Sequence, residues 1–462
     1  MKVLFVYPNI VRHPVDISAG LAILAACSKE HGYEVELLDT SFGKSDTEIV
    51  CEVRGFNPDI IAMSSTSANI DYAEHVAKLI KKAFRTPLII GGVHPTVAPE
   101  DTLGKDCFDM ICVGEGEGAF LELLDSIKKG EKNTTIRNIG FKENGKMIIN
   151  PLRPIIEDLD SLPIADYGIY DYERYLESHV GMASFLCTRG CPYKCTYCIN
   201  RFNQNIYKGL GKFIRYRGDN KIIEEIKAVI NAYPVKGINF EDDTFTLKKS
   251  KVKSFSKLYK KEIGLPFTVN ARIETLNDDV CSDLAQAGCT RMQIGLESGD
   301  PVIRKEVLNR NISDEQIINA SAIVKKYGIQ LYTFNMIGIP GETKENIEKT
   351  IALNRRIQPD FMAVSIFAAY QGTAMYDKCK EQGILDESKP LHTYYNSSNV
   401  RHPDFTLDQL RRIRRWFGFR VFIAFNLKRA IIEMIDRHLI NINYYSKIRS
   451  FLITRVINKG KT

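Results

Sequence analysis

Cys191, Cys195 and Cys198 form a tight group of soft ligands in this sequence. The chain has 11 cysteines in 462 residues, and apart from Cys187 the others are scattered. Without a secretion signal, grouped cysteines are more often metal ligands or catalytic groups than disulfides. Three thiolates spaced Cys-x-x-x-Cys-x-x-Cys can reach one face of an iron–sulfur cubane. Each of its four iron corners normally takes a thiolate, so three ligands leave one iron open to a substrate or cofactor. Structural zinc wants four closed ligands, and Cys187 is the candidate fourth. It falls on an expected strand, however. The isolated cysteines sit in apolar or helical settings and read as small core residues.

A strand must end just before this loop, and the surrounding pattern supplies one. From residue 181, short apolar runs at 183–187, 237–241, 267–270, 291–295, 330–337 and 363–368 alternate with helical patterns at 222–231, 250–263, 278–287 and 314–327. Six such units predict a partial (β/α)6 barrel over 181–390, with chemistry at the carboxyl ends of its strands. Residues 1–130 show the same alternation, with strands at 3–7, 35–38, 60–63, 88–90 and 110–113. Five βα units imply an α/β, flavodoxin-like doubly wound parallel sheet with ligands at the carboxyl ends of its strands. Residues 131–180 read as a connector, with a hairpin signal at Glu143-Asn144-Gly145.

The net charge of +7 is unevenly placed. Residues 401–462 hold 14 Lys and Arg against 4 Asp and Glu, +10, so the first 400 residues carry 7 − 10 = −3. A nearly neutral body argues against a nucleic-acid partner. In the helical tail of 391–462, Thr406-Leu407-Asp408-Gln409 is a capping box, and Leu407, Leu410, Ile413, Phe417, Val421 and Ala424 follow at helical spacing. The arginine-rich segment around Trp416 reads either as a solvated helix packed on the barrel or as a helix at a membrane surface. No apolar run reaches the length of a membrane span and no signal peptide is evident, so a cytoplasmic protein is expected, membrane-associated under the second reading of the tail.

The stretch from Cys187 to Cys198, Cys-Thr-Arg-Gly-Cys-Pro-Tyr-Lys-Cys-Thr-Tyr-Cys, resembles the cluster loop of the radical S-adenosylmethionine (SAM) superfamily. The resemblance implies a [4Fe–4S] cluster on Cys191, Cys195 and Cys198, with SAM chelated to the open iron and Tyr197 beside its adenine. It implies that Asp242 and Asp243 hold the SAM amino group, Arg272 its carboxylate and Glu297 the ribose hydroxyls, with Ile339 against adenine. It also implies an electron donor such as a ferredoxin or flavodoxin.

Upstream, Ser65 and Thr66, the Gly91-Gly92-Val93-His94 segment and Gly114-Glu115-Gly116 follow three neighbouring strands. Small residues there let a large flat ligand approach the backbone. In front of this barrel they resemble the cobalamin-binding domain of the cobalamin-dependent radical SAM family, over roughly residues 1–390. The Asp-x-His-x-x-Gly of many cobalamin proteins is absent, and His13 and His94 read as loop supports rather than cobalt ligands.

The resemblance implies a C-methyltransferase that uses a 5′-deoxyadenosyl radical and methylcobalamin on a small or lipid-like molecule. A radical cyclase or oxidoreductase like the anaerobic magnesium-protoporphyrin monomethyl ester cyclase is the alternative. A tRNA methylthiotransferase-like enzyme is a lesser one, since Tyr7-Pro8-Asn9 stands where the first cysteine of its second cluster would follow strand one and the body is nearly neutral.

Overall fold

A continuous apolar run can be buried in a strand only if the sheet is covered on both faces. β1 (Lys2–Tyr7) meets that condition: Leu4 and Val6 enter one core with Ile61, Met63 and Ile90, and Val3 and Phe5 enter another with Ile60, Ala62 and Ile89. In the computed structural model, residues 1–10, 16–143, 145–389, 391 and 396–439 are described. His13 and Asn144 lie outside them. β2 (Glu34–Asp39), β3 (Ile60–Ser64), β4 (Leu88–Gly91) and β5 (Met110–Cys112) join β1 in parallel. The order is β2-β1-β3-β4-β5, the flavodoxin-like arrangement. β6 (Ile139–Glu143) and β7 (Lys146–Ile149) continue the sheet antiparallel beyond β5. The expected connector hairpin is thus the edge of the N-terminal sheet, recruited because Ile139 and Phe141 bury their side chains in its core.

The second series comprises β8 (Met182–Phe185), a two-residue ladder of β9 (Thr188–Arg189) with β10 (Arg215–Tyr216), then β11 (Gly237–Phe240), β12 (Phe267–Ala271), β13 (Cys289–Glu297), β14 (Gln330–Ile337) and β15 (Phe361–Ile366). Six of them form one sheet in the order β15-β14-β13-β12-β11-β8, the half-barrel expected from the alternation. Caps set the lengths of its helices. Asn277 accepts from the Val280 N–H and Gly288 takes the left-handed terminus of Asp278–Ala287. Ser313 and Gln316 form a capping box on Asp314–Lys326.

The chain divides into two compact units. One comprises Met1–Asp243, Leu258–Leu265 and Ala369–Thr393; the other comprises Thr244–Lys257, Pro266–Ala368 and Tyr394–Thr462. The first therefore holds the N-terminal sheet, the 131–180 segment, β8 to β11 and the cysteine loop. In the second, the expected capping box starts the helix Leu407–Phe422. Its Leu410, Phe417, Val421 and Phe422 pack with Ile337, Ile347, Met362 and Val364, which is the packed-helix reading of the tail. A second helix, Leu427–Leu439, follows it within the stretch expected to be helical.

Candidate functional site

Gly190 makes the cysteine loop possible. Its φ is +90°, and a Cβ there would lie 2.5 Å from the Phe213 carbonyl oxygen. Past this turn, Gln204 donates to the carbonyls of Cys191 (2.6 Å) and Tyr193 (3.3 Å), and the Cys198 N–H donates to the Cys195 carbonyl (3.2 Å). Cys191 and Cys195 are buried, Cys198 and Tyr197 half-buried. Cys187, the possible fourth ligand, is buried beside β8. Among the described residues, no three His, Cys, Asp or Glu side chains converge on a point that could hold a single ion. Burial pushes the Cys198 thiol up to about 11, so it ionises at neutral pH only when a bound metal takes up the charge.

The two acids after β11 separate in role. Asp242 is fully buried and accepts from the Cys187 N–H (3.0 Å) and from the Thr188 hydroxyl (2.6 Å). Closed off from solvent and bonded to Cys187 and Thr188, this side chain holds the start of the cluster loop. Asp243 is exposed. It hydrogen-bonds Asn200, whose Nδ2 donates to Cys198 Sγ at 3.7 Å. Asn200 carried no sequence signal of its own.

A buried charge network ties this loop to the N-terminal sheet. Arg189, two residues before Cys191, donates to Glu115 Oε1 (3.1 Å) and Glu117 Oε1 (2.6 Å). Arg215 on β10 donates to Glu115 Oε2 (3.0 Å) and the Ile156 carbonyl (2.6 Å), and pairs through Nη2 with Glu115 Oε1 (2.8 Å). The Glu115 N–H donates to the Tyr207 hydroxyl (2.7 Å), and Asn138 donates to the Glu115 carbonyl (2.7 Å). Burial opposes ionisation of Glu115, but Arg215 and Arg189 outweigh it and hold the carboxyl below its ordinary range. Both carboxylate oxygens are thus committed to protein cations, while the residue itself also lines the neighbouring cavity. The sequence showed glycines and acids here, but nothing in it paired 115 with 189 and 215.

The same strand-end segment lines a cavity of about 350 Å³ at the carboxyl ends of β1, β3, β4 and β5. Phe5, Leu24, Ile89 and Phe120 form an apolar wall, and Gly91, Gly92, Gly114 and Gly116 lie along it. A shaped apolar slot with backbone exposed at glycines fits a flat heteroaromatic group such as the nucleotide base of cobalamin. The glycines also serve the protein itself. A Cβ on Gly92 (φ +98°) would sit 2.7 Å from the Ser65 carbonyl oxygen, and one on Gly114 would collide with the Tyr207 hydroxyl. Ser65, Thr66 and His94 are not among the residues that line this cavity. Ser65 donates to the Thr66 carbonyl (3.0 Å), and His94 Nδ1 lies 3.2 Å from Ser67 Oγ. Burial pushes the His94 imidazole below its ordinary range, which suits a loop support, and among the described residues no histidine lines the cavity.

In the second unit the expected residues stand at strand ends. Arg272 follows β12 and forks onto Glu274 (2.6 and 3.3 Å). Glu297 closes β13 at a register shift and adopts φ +64°. A left-handed non-glycine residue at a bulge is a strained arrangement typical of functional sites. Its Oε1 lies 3.8 Å from the buried Arg310 guanidinium. Ile339 is fully buried; its N–H donates to Glu342 Oε2 (3.3 Å) and His402 Nε2 lies 3.0 Å from its carbonyl. Its backbone is therefore already bonded within the protein, and any contact to adenine falls to the rest of that loop.

Two family models match the chain: the B12 binding domain over residues 15–124 and the radical SAM superfamily over residues 185–353. An uncharacterized methyltransferase of Pyrococcus horikoshii is 30% identical over 451 residues, covering 95% of each chain. An anaerobic magnesium-protoporphyrin IX monomethyl ester cyclase of Rubrivivax gelatinosus is 26% identical, covering 92% of this chain and 79% of that one. Among solved structures, the cobalamin-dependent SAM radical enzyme OxsB superposes with a TM-score of 0.74 at 17% identity, covering 98% of this chain and 72% of that one.

Proposed function

Because the chain belongs to the B12-binding radical SAM enzymes, we propose that it methylates an unactivated carbon of a small or lipid-like substrate. One observation carries the reading: the Gly114–Glu117 segment both lines the apolar cavity and, through Arg189, holds the loop of Cys191. A cobalamin base in the cavity and a cluster on the three cysteines then share one rigid support. When bound, the cluster with SAM supplies a 5′-deoxyadenosyl radical, and cobalamin serves as methyl carrier.

The chain's own task is to hold and align. Cys191, Cys195 and Cys198 hold the cluster, and Asp242 and Arg189 fix the loop that bears them. Asp243 would meet the ammonium of a SAM bound at that loop. In the second unit, Glu297 has the chemistry to accept ribose hydroxyls, and Arg272, now paired with Glu274, the charge to take a carboxylate. Phe5, Leu24 and Phe120 exclude water around the cobalamin base. Alignment of this kind is the protein's main lever on a cofactor-borne reaction.

Anaerobically reconstituted protein should carry about four irons and one cobalamin per chain. It should release S-adenosylhomocysteine together with 5′-deoxyadenosine. 5′-Deoxyadenosine alone would favour the cyclase reading, which the Rubrivivax relative supports.

The substrate reading extends to the tail. Trp416, Ile423, Leu427, Ile431 and Ile435 are exposed, five of the eleven large exposed apolar side chains among the described residues. No described helix is long and apolar enough to cross a membrane. Peripheral contact with an anionic bilayer fits these side chains and the basic tail. Flotation with phosphatidylglycerol vesicles, with and without residues 401–462, tests it; equal flotation of the two refutes it.

A further inference from the structure

The helix Lys249–Glu262 carries six lysines and one acid. Lys249, Lys253, Lys257 and Lys261 fall at every fourth residue and are all exposed, with Lys260 beside them. The opposite face anchors the helix: Val252, Phe255, Ser256 and Tyr259 are at most 3% exposed. The stripe therefore faces solvent over about 18 Å at 1.5 Å per residue.

This arrangement works against the helix itself. Three successive like-charge pairs at i,i+4 repel, and Lys249 stands at the helix N-terminus, where the macrodipole disfavours a cation and no acid offsets it. Lys261 lies 3.2 Å from the neighbouring Glu262. Lys249, Lys253 and Lys257 have no acidic partner among the described residues. The first 400 residues are otherwise slightly acidic, so the stripe is a local reversal of charge. Its position in the chain is as telling. Five residues separate Lys249 from Asp243, no more than about 20 Å of chain. Asp243 bonds Asn200, which donates to Cys198 Sγ.

We infer that this lysine stripe is the docking surface for an acidic protein that carries single electrons at low potential, of the flavodoxin or ferredoxin class. The inference rests on the radical SAM reading, which needs one electron per SAM cleaved. In the step served, the reduced carrier loses one electron and the chain's cluster gains it; no bond or proton changes hands. The face holds lysine without exposed arginine or aromatic groups. Lysine is a hydrated point charge suited to brief, salt-sensitive encounters. Redox encounter complexes are small and weak, in keeping with one helix face. A helix lying on a membrane also needs a free apolar face; this helix buries its own, and the tail carries the exposed apolar side chains instead.

The test compares the reconstituted wild-type chain with the charge-reversed variant Lys249→Glu/Lys253→Glu/Lys257→Glu/Lys261→Glu and a milder variant with Gln at the same four positions. Affinity for an acidic flavodoxin is measured by calorimetry at 50 and 300 mM NaCl. Cluster reduction by flavodoxin hydroquinone is followed by stopped flow, beside reduction by the small reductant methyl viologen radical. The expected result is at least tenfold weaker flavodoxin binding in the Glu variant and a smaller loss in the Gln variant. Wild-type binding should fall steeply with salt, and viologen reduction should be unchanged in all three. Flavodoxin affinity within twofold of wild type in both variants overturns the inference, as does salt-independent wild-type binding. So does loss of binding to phosphatidylglycerol vesicles or an RNA oligonucleotide with flavodoxin binding intact. Absence of SAM cleavage by viologen-reduced wild type would instead overturn the radical SAM reading, leaving the binding result to stand by itself.

Discussion

Glu115 offers the sharpest test of how the two cofactor sites are held together. Replacing it by Gln leaves Arg215, whose side chain is 4% exposed, without a counter-charge. Arg189 keeps Glu117. Removing one partner of a buried, hydrogen-bonded pair costs about 3–5 kcal/mol, because the remaining charge stays desolvated. Removing both partners costs far less than the sum, since no orphan charge remains. Glu115→Gln should therefore destabilise by about 3–5 kcal/mol, Arg215→Met by less because Glu115 keeps Arg189, and the double variant by no more than Glu115→Gln alone. Unfolding of a chain of two units is not one two-state event, so the readout is hydrogen exchange of the amides around Arg189 and Arg215. Additive losses would refute the network. The functional consequence is separable from stability. A loosened cluster loop should cleave SAM without completing transfer, so the ratio of 5′-deoxyadenosine to methylated product rises at saturating SAM. A purely structural loss would lower both together. The acid limb has a definite sign. The Glu115 carboxyl is held below its unfolded value, so its contribution is complete above the unfolded pKa of about 4.3 and is lost as pH falls through the folded one.

Further outcomes follow from the same geometry. Asp243→Asn should weaken SAM binding about tenfold, or ~1.4 kcal/mol, while Asp242→Asn leaves SAM affinity within twofold; calorimetry with reconstituted protein showing the reverse would restore Asp242 to the SAM site. Gly190→Ala should sharply lower iron content per chain, because both its φ and the Phe213 carbonyl forbid a Cβ; full iron loading would contradict that reading. In the second unit, burial pushes the fully buried Glu342 up to about 8, so it folds protonated while its Gly338 and Ile339 N–H partners bond one oxygen. A folded pKa above the unfolded one means stability declines as pH rises from about 4 to 8. Glu342→Gln should flatten that decline in thermal melts taken across the range, and an unchanged slope would show that Glu342 is not its source.

Much of this protein was legible in its sequence because local rules wrote it there. Strands appear as apolar runs, and their cores follow from period two and burial on both faces, as β1 shows. Thr406 announces a helix start through a hydrogen bond that spans only three residues. The three cysteines are close in sequence, so their joint chemistry could be read before any fold was known. The hairpin at Ile139–Ile149 was visible, but its place at the sheet edge was not, since a strand pattern does not name its partner. The roles of the two adjacent acids after β11 were likewise undecided. One residue of register turns Asp242 inward to β9 and Asp243 outward to Asn200, and composition is the same either way. Glu115, Arg189 and Arg215 lie up to 100 positions apart, and their charges meet only because the fold buries all three at one place. The sequence by itself determined which chemistry the chain can hold. The tertiary structure decided which of its charged groups support the cofactors and which remain to touch them, because burial and pairing are properties of a site that no residue carries alone.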